Sequence, residues 1–353
     1  MTRGGRPSIL IVGLNWLGDC VMSLPAIALL RRRMPDAHLT LLTKPGLTPL
    51  WTLFPAIDEV LVLSAGCAGL WGAARAVRSR ACDRAYVLPN SVRSALVPYL
   101  ARIPVRRGLQ GHVRRWLLTD VVRPIPGPGF EHQKCEYEEV VGLESDRDLW
   151  RLPLLVAPDS ARERARVLLA ESDEGGAAGG RTIGMFPGAA RGPAKRWPAE
   201  RFAAVARRLA AEEGCRVLLF GGAADAESCT AVAQDAGPGL VNLSGRSTIP
   251  DLAALVSLCR CVVSNDSGGM HLAAACGVPV VAIFGLTDPA RTGPLGTGHR
   301  IVAAEAFHRW RDVPRDSAGA RRALASISVD RVYAAARELL AGAAPVQSGE
   351  ARP

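Results

Sequence analysis

Short apolar runs that break into a glycine-bearing loop and resume as a helical pattern recur along most of this chain. Ser8-Ile9-Leu10-Ile11-Val12-Gly13 is the first, followed by Leu14-Asn15-Trp16-Leu17-Gly18-Asp19 and then by apolar residues at helical spacing over 21–34. A run with no polar alternation is a strand covered on both faces, which is the habit of parallel sheets. The helix pattern closes on Arg31-Arg32-Arg33 before Pro35, placing cations where a helix dipole favours them. Strand patterns continue over 38–43, 58–63 and 83–88, with helical ones over 47–54, 69–78 and 91–102. A second series has strands over 182–186, 216–220, 240–243, 261–264 and 278–284, and helices over 198–213, 226–234, 249–258, 269–276 and 329–340. Such repetition predicts an α/β fold of doubly wound parallel sheets, with ligands at the carboxyl ends of the strands.

The 353 residues exceed what one core ordinarily supports, and the two series predict two domains. The least hydrophobic interior stretch is Glu171-Ser172-Asp173-Glu174-Gly175-Gly176-Ala177-Ala178-Gly179-Gly180. It divides the chain into a first domain over 1–171, a linker over 172–180, a second domain over 181–342 and an unstructured Gly-, Ala- and Pro-bearing tail over 343–353. Lys and Arg number 43 against 33 Asp and Glu, a formal charge of +10. That balance favours anionic partners: nucleotides, phosphorylated sugars, nucleic acid or an acidic membrane surface. The nine cysteines lie scattered beside apolar residues without metal-ligand spacing, so they are expected to be small buried hydrophobes in a reducing compartment. The run over 9–14 is too short for a membrane span and is soon followed by Asp19, which predicts a soluble protein.

Several loops carry candidate chemistry. Ser264-Asn265-Asp266-Ser267-Gly268-Gly269-Met270-His271 leads from a β-branched run into an alanine-rich helix, a layout that aims unpaired backbone N–H groups at an anion. Ser267 adds a hydroxyl, Gly268 and Gly269 admit a ligand to the backbone, and His271 lies about one turn further on. Helix capping by Asp266 or Ser267 explains the same residues. Pro187-Gly188-Ala189 with Gly192-Pro193-Ala194-Lys195-Arg196-Trp197-Pro198 is a stiffened loop in which Lys195 and Arg196 can meet a diphosphate, although it lacks the spacing of a Walker loop. Asp19 can serve as a general base or as a helix cap, and Gly13 and Gly18 fall one glycine short of a dinucleotide fingerprint. After the strand over 216–220, Asp225 and Glu227 can accept from ribose hydroxyls, or Asp225 can cap a helix. The arginines over 101–118 form either a solvated basic face or a docking edge for a phosphorylated acceptor. Asp146-Arg147-Asp148 matches a metal-binding Asp-x-Asp string by accident, and no metal site is expected.

Together, Trp16-Leu17-Gly18-Asp19 with Leu24-Pro25, the stretch Ala101-Arg102-Ile103-Pro104 with Arg106-Arg107-Gly108 and Gly111, His132, the loop from Pro187 to Pro198, and Asn265-Asp266-Ser267-Gly268 with Met270-His271 resemble glycosyltransferase family 9. The resemblance implies a GT-B architecture of two facing Rossmann-like domains, acceptor on the first and nucleotide-sugar on the second. It implies metal-free, inverting transfer of L-glycero-D-manno-heptose from ADP-heptose, with no cofactor, to the heptosyl-Kdo inner core of lipopolysaccharide. Asp19 would be the base and Lys195 would steady the leaving diphosphate. Arg196, Asp266, Ser267, Gly268 and His271 would hold the donor, with Glu227 on the ribose. The partners implied are the ADP-sugar, a lipid A-linked oligosaccharide and the inner-leaflet surface, without nucleic acid, for a cytoplasmic protein peripheral on the inner membrane. A family member with another acceptor or nucleotide-sugar, or a GT-B-like sugar-nucleotide epimerase, stands as the alternative.

Overall fold

The computed structural model of the protein describes residues 6–111, 113–123, 132–142, 153–172, 181–237, 239–305 and 313–342. By internal contacts the chain forms two units, Met1–Trp150 and Arg151–Pro353. In the first, β1 (Ser8–Val12), β2 (His38–Thr43), β3 (Glu59–Val62), β4 (Arg84–Val87), β5 (Val105–Leu109) and β6 (Asp120–Val122) form one parallel sheet in the order β3-β2-β1-β4-β5-β6. The helices are α1 (Leu17–Arg33), α2 (Thr48–Trp51), α3 (Gly66–Arg78), α4 (Val92–Leu100) and α5 (Lys134–Val141). The apolar run of β1 is buried beyond its first residue because helices cover both faces of a central parallel strand.

The second unit repeats the plan. After α6 (Asp159–Glu171), the strands β7 (Thr182–Phe186), β8 (Arg216–Leu219), β9 (Leu240–Asn242), β10 (Cys261–Asn265), β11 (Val280–Phe284) and β12 (Arg300–Ala303) stand in the parallel order β12-β11-β10-β7-β8-β9. Between and after them come α7 (Ala199–Glu213), α8 (Ala226–Ala236), α9 (Ile249–Ser257), α10 (Gly268–Ala275), α11 (Pro289–Thr292), α12 (Ala318–Ser326) and α13 (Val329–Gly342). Helix α7 shows why the pattern folds this way: Phe202, Ala203, Val205, Ala206 and Leu209 share a buried stripe, and Gly214 ends the helix in the left-handed conformation that a β-carbon disfavours.

Both sheets carry the strand order of the Rossmann fold, so each has one point where the order reverses, between β1 and β4 and between β7 and β10. Several readings change. The strand β5 was not legible because Val105-Arg106-Arg107-Gly108-Leu109 has no apolar run, and the edge strands β6 and β12, only three and four residues long, were missed as well. Helix α12, outside the expected helices, is capped by the Ser317 hydroxyl accepting from the Ala320 N–H at 3.2 Å. The division between units falls before α6 rather than at 172–180. Arg164 of α6 bonds Asp251 of α9 at 2.8 Å, and the Leu154 N–H donates to the Ala275 carbonyl at 2.8 Å, which fastens this segment to the second sheet's helices. Of the expected linker only Ser172 is described. The rest, the tail over 343–353 and the Asp146-Arg147-Asp148 string lie outside the described residues.

Candidate active site

At the second reversal point, the loops leaving β7 and β10 are tied together by one buried amide. Asn265 has no exposed surface. Its Oδ1 accepts from the Trp197 N–H at 3.0 Å and its Nδ2 donates to the Pro187 carbonyl at 2.8 Å, so a single side chain holds both ends of the lysine-bearing loop. Trp197 is pinned in turn, its Nε1 donating to the Ile327 carbonyl at 3.1 Å and its ring packed edge-on to Phe202. Gly192 sits at φ +92°, and a β-carbon there would lie 2.7 Å from the Arg315 side chain, while the Arg315 carbonyl accepts from the Ala194 N–H. Between these fixtures Pro193–Lys195 makes a 3-10 turn.

That turn delivers Lys195 to Asp266. The Nζ donates to Asp266 Oδ2 at 2.5 Å, with the two side chains only 10% and 7% exposed. Thr287, buried just beyond β11, donates its hydroxyl to the same oxygen at 2.8 Å. Asp266 Oδ1 has no partner among the described residues. Ser267 then caps α10 by position only: its side chain makes no capping bond, so the first-turn N–H groups are not closed off by it. Asp266, Ser267, Gly268 and the buried His271 thus stand on one strand-to-helix connection, with Lys195 brought to it from the neighbouring loop. Gly269 is needed for packing, since a β-carbon there would come within 2.4 Å of the Phe186 ring. A cation and an open helix N-terminus side by side are the elements of a diphosphate site.

Two further expected residues are placed differently. Arg196 makes a long bond to the Ala189 carbonyl at 3.4 Å, and its buried Nε has no partner among the described residues, so much of its donor capacity is unspent beside Lys195. Glu227 stands exposed in the first turn of α8, at the carboxyl end of β8 and not joined to the Lys195–Asp266 pair. Asp225 resolves to a cap: Oδ2 accepts from the Gly222 N–H at 3.1 Å, and Gly188 and Gly221 lack β-carbons that would collide with it.

The first reversal point holds Asp19. The sequence pattern starts the helix after this residue, but α1 begins at Leu17 with Trp16 in the cap position, so Asp19 lies within the first turn and is not its N-cap. The half-buried carboxylate accepts at Oδ1 from Gln133 Nε2 at 3.1 Å. Gln133, buried at the start of α5, also bonds the Tyr137 hydroxyl. Asp19 and the burial of Cys20 together push the neighbouring thiol well above its usual range, burial contributing most. A carboxylate at a helix N-terminus, steadied by a neutral amide, is suited to accept a proton from a bound hydroxyl.

The arginine stretch divides. Arg106, Arg107 and Arg114 turn inward: Arg107 bonds Asp120 at 2.8 Å and the Val140 carbonyl at 3.0 Å, and Arg114 is buried against backbone carbonyls. Arg102 and Arg115 are exposed. Six cysteines are buried, with burial raising the thiols of Cys229 to about 11 and Cys261 to about 12, while Cys135 and Cys276 are partly covered and Cys67 is exposed against expectation. Among the described residues no group of three or more His, Cys, Asp or Glu is placed to hold a metal ion. No helix among them is long and apolar enough to cross a membrane.

Comparison with known proteins gives these geometries a context. The family model of Glycosyltransferase family 9 (heptosyltransferase) matches residues 70–317. Lipopolysaccharide heptosyltransferase 2 of Salmonella typhimurium is 33% identical over 349 residues, covering 94% of this chain and 98% of that protein. The chain belongs to glycosyltransferase family 9. Among solved structures, E. coli ADP-heptose lps heptosyltransferase II matches with a TM-score of 0.78 at 29% identity, covering 95% of this chain and 98% of that one. A family 9 glycosyltransferase from Veillonella parvula matches at 0.81 and 25% identity, over 95% and 97%. The family 9 fold is GT-B, which the two Rossmann-ordered units reproduce. The family 9 segment over 70–317 contains Lys195, Arg196, Glu227, Asp266 and His271 and excludes Asp19.

Gln133, Thr287 and Arg315 were not found from the sequence. Each acts by touching a residue distant in the chain, and no local spacing announces such a contact.

Proposed function

We propose that this family 9 heptosyltransferase transfers heptose from ADP-heptose to the lipid A-linked heptosyl-Kdo inner core of lipopolysaccharide, with inversion and without a metal ion or other cofactor. The observation that carries the reading is the end-to-end similarity to a protein named lipopolysaccharide heptosyltransferase 2, joined to a cation and an open helix N-terminus at the second reversal point. Asp19 takes the proton of the attacking acceptor hydroxyl, a role worth on the order of 10²–10⁴ in rate. Negative charge gathering on the departing ADP meets Lys195, Arg196 and the N–H groups of α10, which supply the stabilisation a metal would otherwise give. Asp266, Ser267, Gly268 and His271 hold the donor and Glu227 its ribose. The enzyme works in the cytoplasm, peripheral on the inner face of the inner membrane where its acceptor is anchored.

Incubation with ADP-heptose and chelator, with and without mono-heptosylated, Kdo-bearing lipid A, tests this through ADP release and the anomeric configuration of the product. Acceptor-dependent release with inverted product is expected. Tight ADP-heptose binding without release would send the search to another acceptor, and conversion of the donor alone would replace transfer by epimerisation.

A further inference from the structure

Between Asp83 and Asp120 the chain carries seven arginines and no acidic residue. Within this stretch Trp116 is 85% exposed and Val113 71%. Apolar side chains as large as these normally find cover, and their display here is fixed by the fold. Arg114, between them, is only 1% exposed. Its Nε donates to the Leu109 carbonyl at 3.0 Å, Nη2 to Asn90 Oδ1 at 2.9 Å and Nη1 to the Pro89 carbonyl. Gly111 makes room for it, since a β-carbon there would stand 3.1 Å from the Arg114 side chain, and Gly108 lies on its other side. An arginine whose donors are spent on carbonyls inside the protein is anchoring the turn, and the adjoining 3-10 turn Arg115–Leu117 throws Trp116 outward.

The surroundings make one patch. Arg106 Nε donates to the Leu117 carbonyl at 2.7 Å while its guanidinium lies 5.5 Å from the centre of the Tyr99 ring, so the turn, Arg106 and the end of α4 are neighbours. Tyr99 is itself 46% exposed, and Arg102 and Arg115 are exposed cations at the same place. Indole and phenol rings favour the boundary between water and acyl chains, and arginine pairs with lipid phosphates. A rigid apolar projection flanked by exposed arginines is complementary to an anionic bilayer.

We propose that Val113 and Trp116, with Tyr99, Arg102 and Arg115 around them, form the surface by which the protein docks on an anionic membrane. The proposal rests on the reading that the acceptor is lipid-linked, and it assigns the membrane contact to specific residues.

The test is co-sedimentation of the full chain with vesicles of phosphatidylcholine alone or with added phosphatidylglycerol. The protein should bind the anionic vesicles only, and less as salt rises. Trp116→Ala and Arg115→Ala should each weaken binding by roughly ten-fold, while Trp71→Ala, which alters an exposed tryptophan on α3, should not. Trp116→Phe should keep binding and lose the fluorescence quenching that brominated acyl chains cause. Denaturant melts check that every variant folds. Heptosyl transfer to a lipid-free inner-core oligosaccharide should be unchanged in Trp116→Ala, so absence of that transfer in the unaltered protein would remove the functional reading without touching the vesicle result. Equal vesicle binding by Trp116→Ala and the unaltered protein, loss of lipid-free transfer in Trp116→Ala, or a dimer abolished by Trp116→Ala would each overturn the docking surface.

Discussion

The two reversal points share one topology and use a carboxylate in opposite ways. At the first, Asp19 is half-buried and held by the neutral amide of Gln133. At the second, Asp266 is 7% exposed and its Oδ2 takes both the Lys195 ammonium at 2.5 Å and the Thr287 hydroxyl at 2.8 Å. The bond from Gln133 brings no charge of its own to Asp19. The Asp266 carboxylate is bonded to a cation and fixes where that cation stands. The strand order therefore decides where a charged group sits, and the loops decide which groups it meets.

The sharpest way to break that contrast is to neutralise the first carboxylate. Asp19→Asn preserves shape and should lower kcat by on the order of 10²–10⁴, with ADP affinity unchanged in calorimetry. Retained turnover would end the assignment of Asp19 as the base.

A second experiment compares what each carboxylate contributes to the fold. Lys195→Met leaves a buried carboxylate without its cation and should cost about 3 kcal/mol in urea unfolding. Gln133→Ala removes the hydrogen bonds that its neutral amide makes to Asp19 and to the Tyr137 hydroxyl and should cost about 1 kcal/mol. Equal losses would mean that the two sites are not distinguished by charge pairing.

The smallest effect belongs to Thr287. Thr287→Val removes the second donor to Asp266 and should cost about 1 kcal/mol with a modest rise in KM for the donor, and Thr287→Ser should restore both. If Thr287→Val leaves KM unchanged, the hydroxyl serves folding only.

Most strands of both sheets could be read from apolar runs because a buried parallel strand needs no partner information to look like one: β2 and β7 fall on the expected residues. The strand β5 could not, because its arginines are paid for by bonds to Asp120, Val140 and Leu117 that lie elsewhere in the chain. Lys195, Asp266 and Asp19 were legible as chemistry because glycine, proline and charge cluster around them locally. Their standing was not: Asp225 became a cap, Glu227 stayed exposed apart from the ion pair, and Arg114, one of a run of basic residues, proved to be a buried anchor.

By itself, then, the sequence determined the repeated strand, loop and helix units and the residue types gathered at their turns, since periodicity and turn chemistry act over a few neighbouring residues. Only the tertiary structure decided which loops meet, that Asn265 clamps Pro187 to Trp197, that Lys195 and Thr287 share one oxygen of Asp266, and that α6 joins the second unit. Those contacts join residues far apart in the chain, and their partners are chosen by strand order and burial.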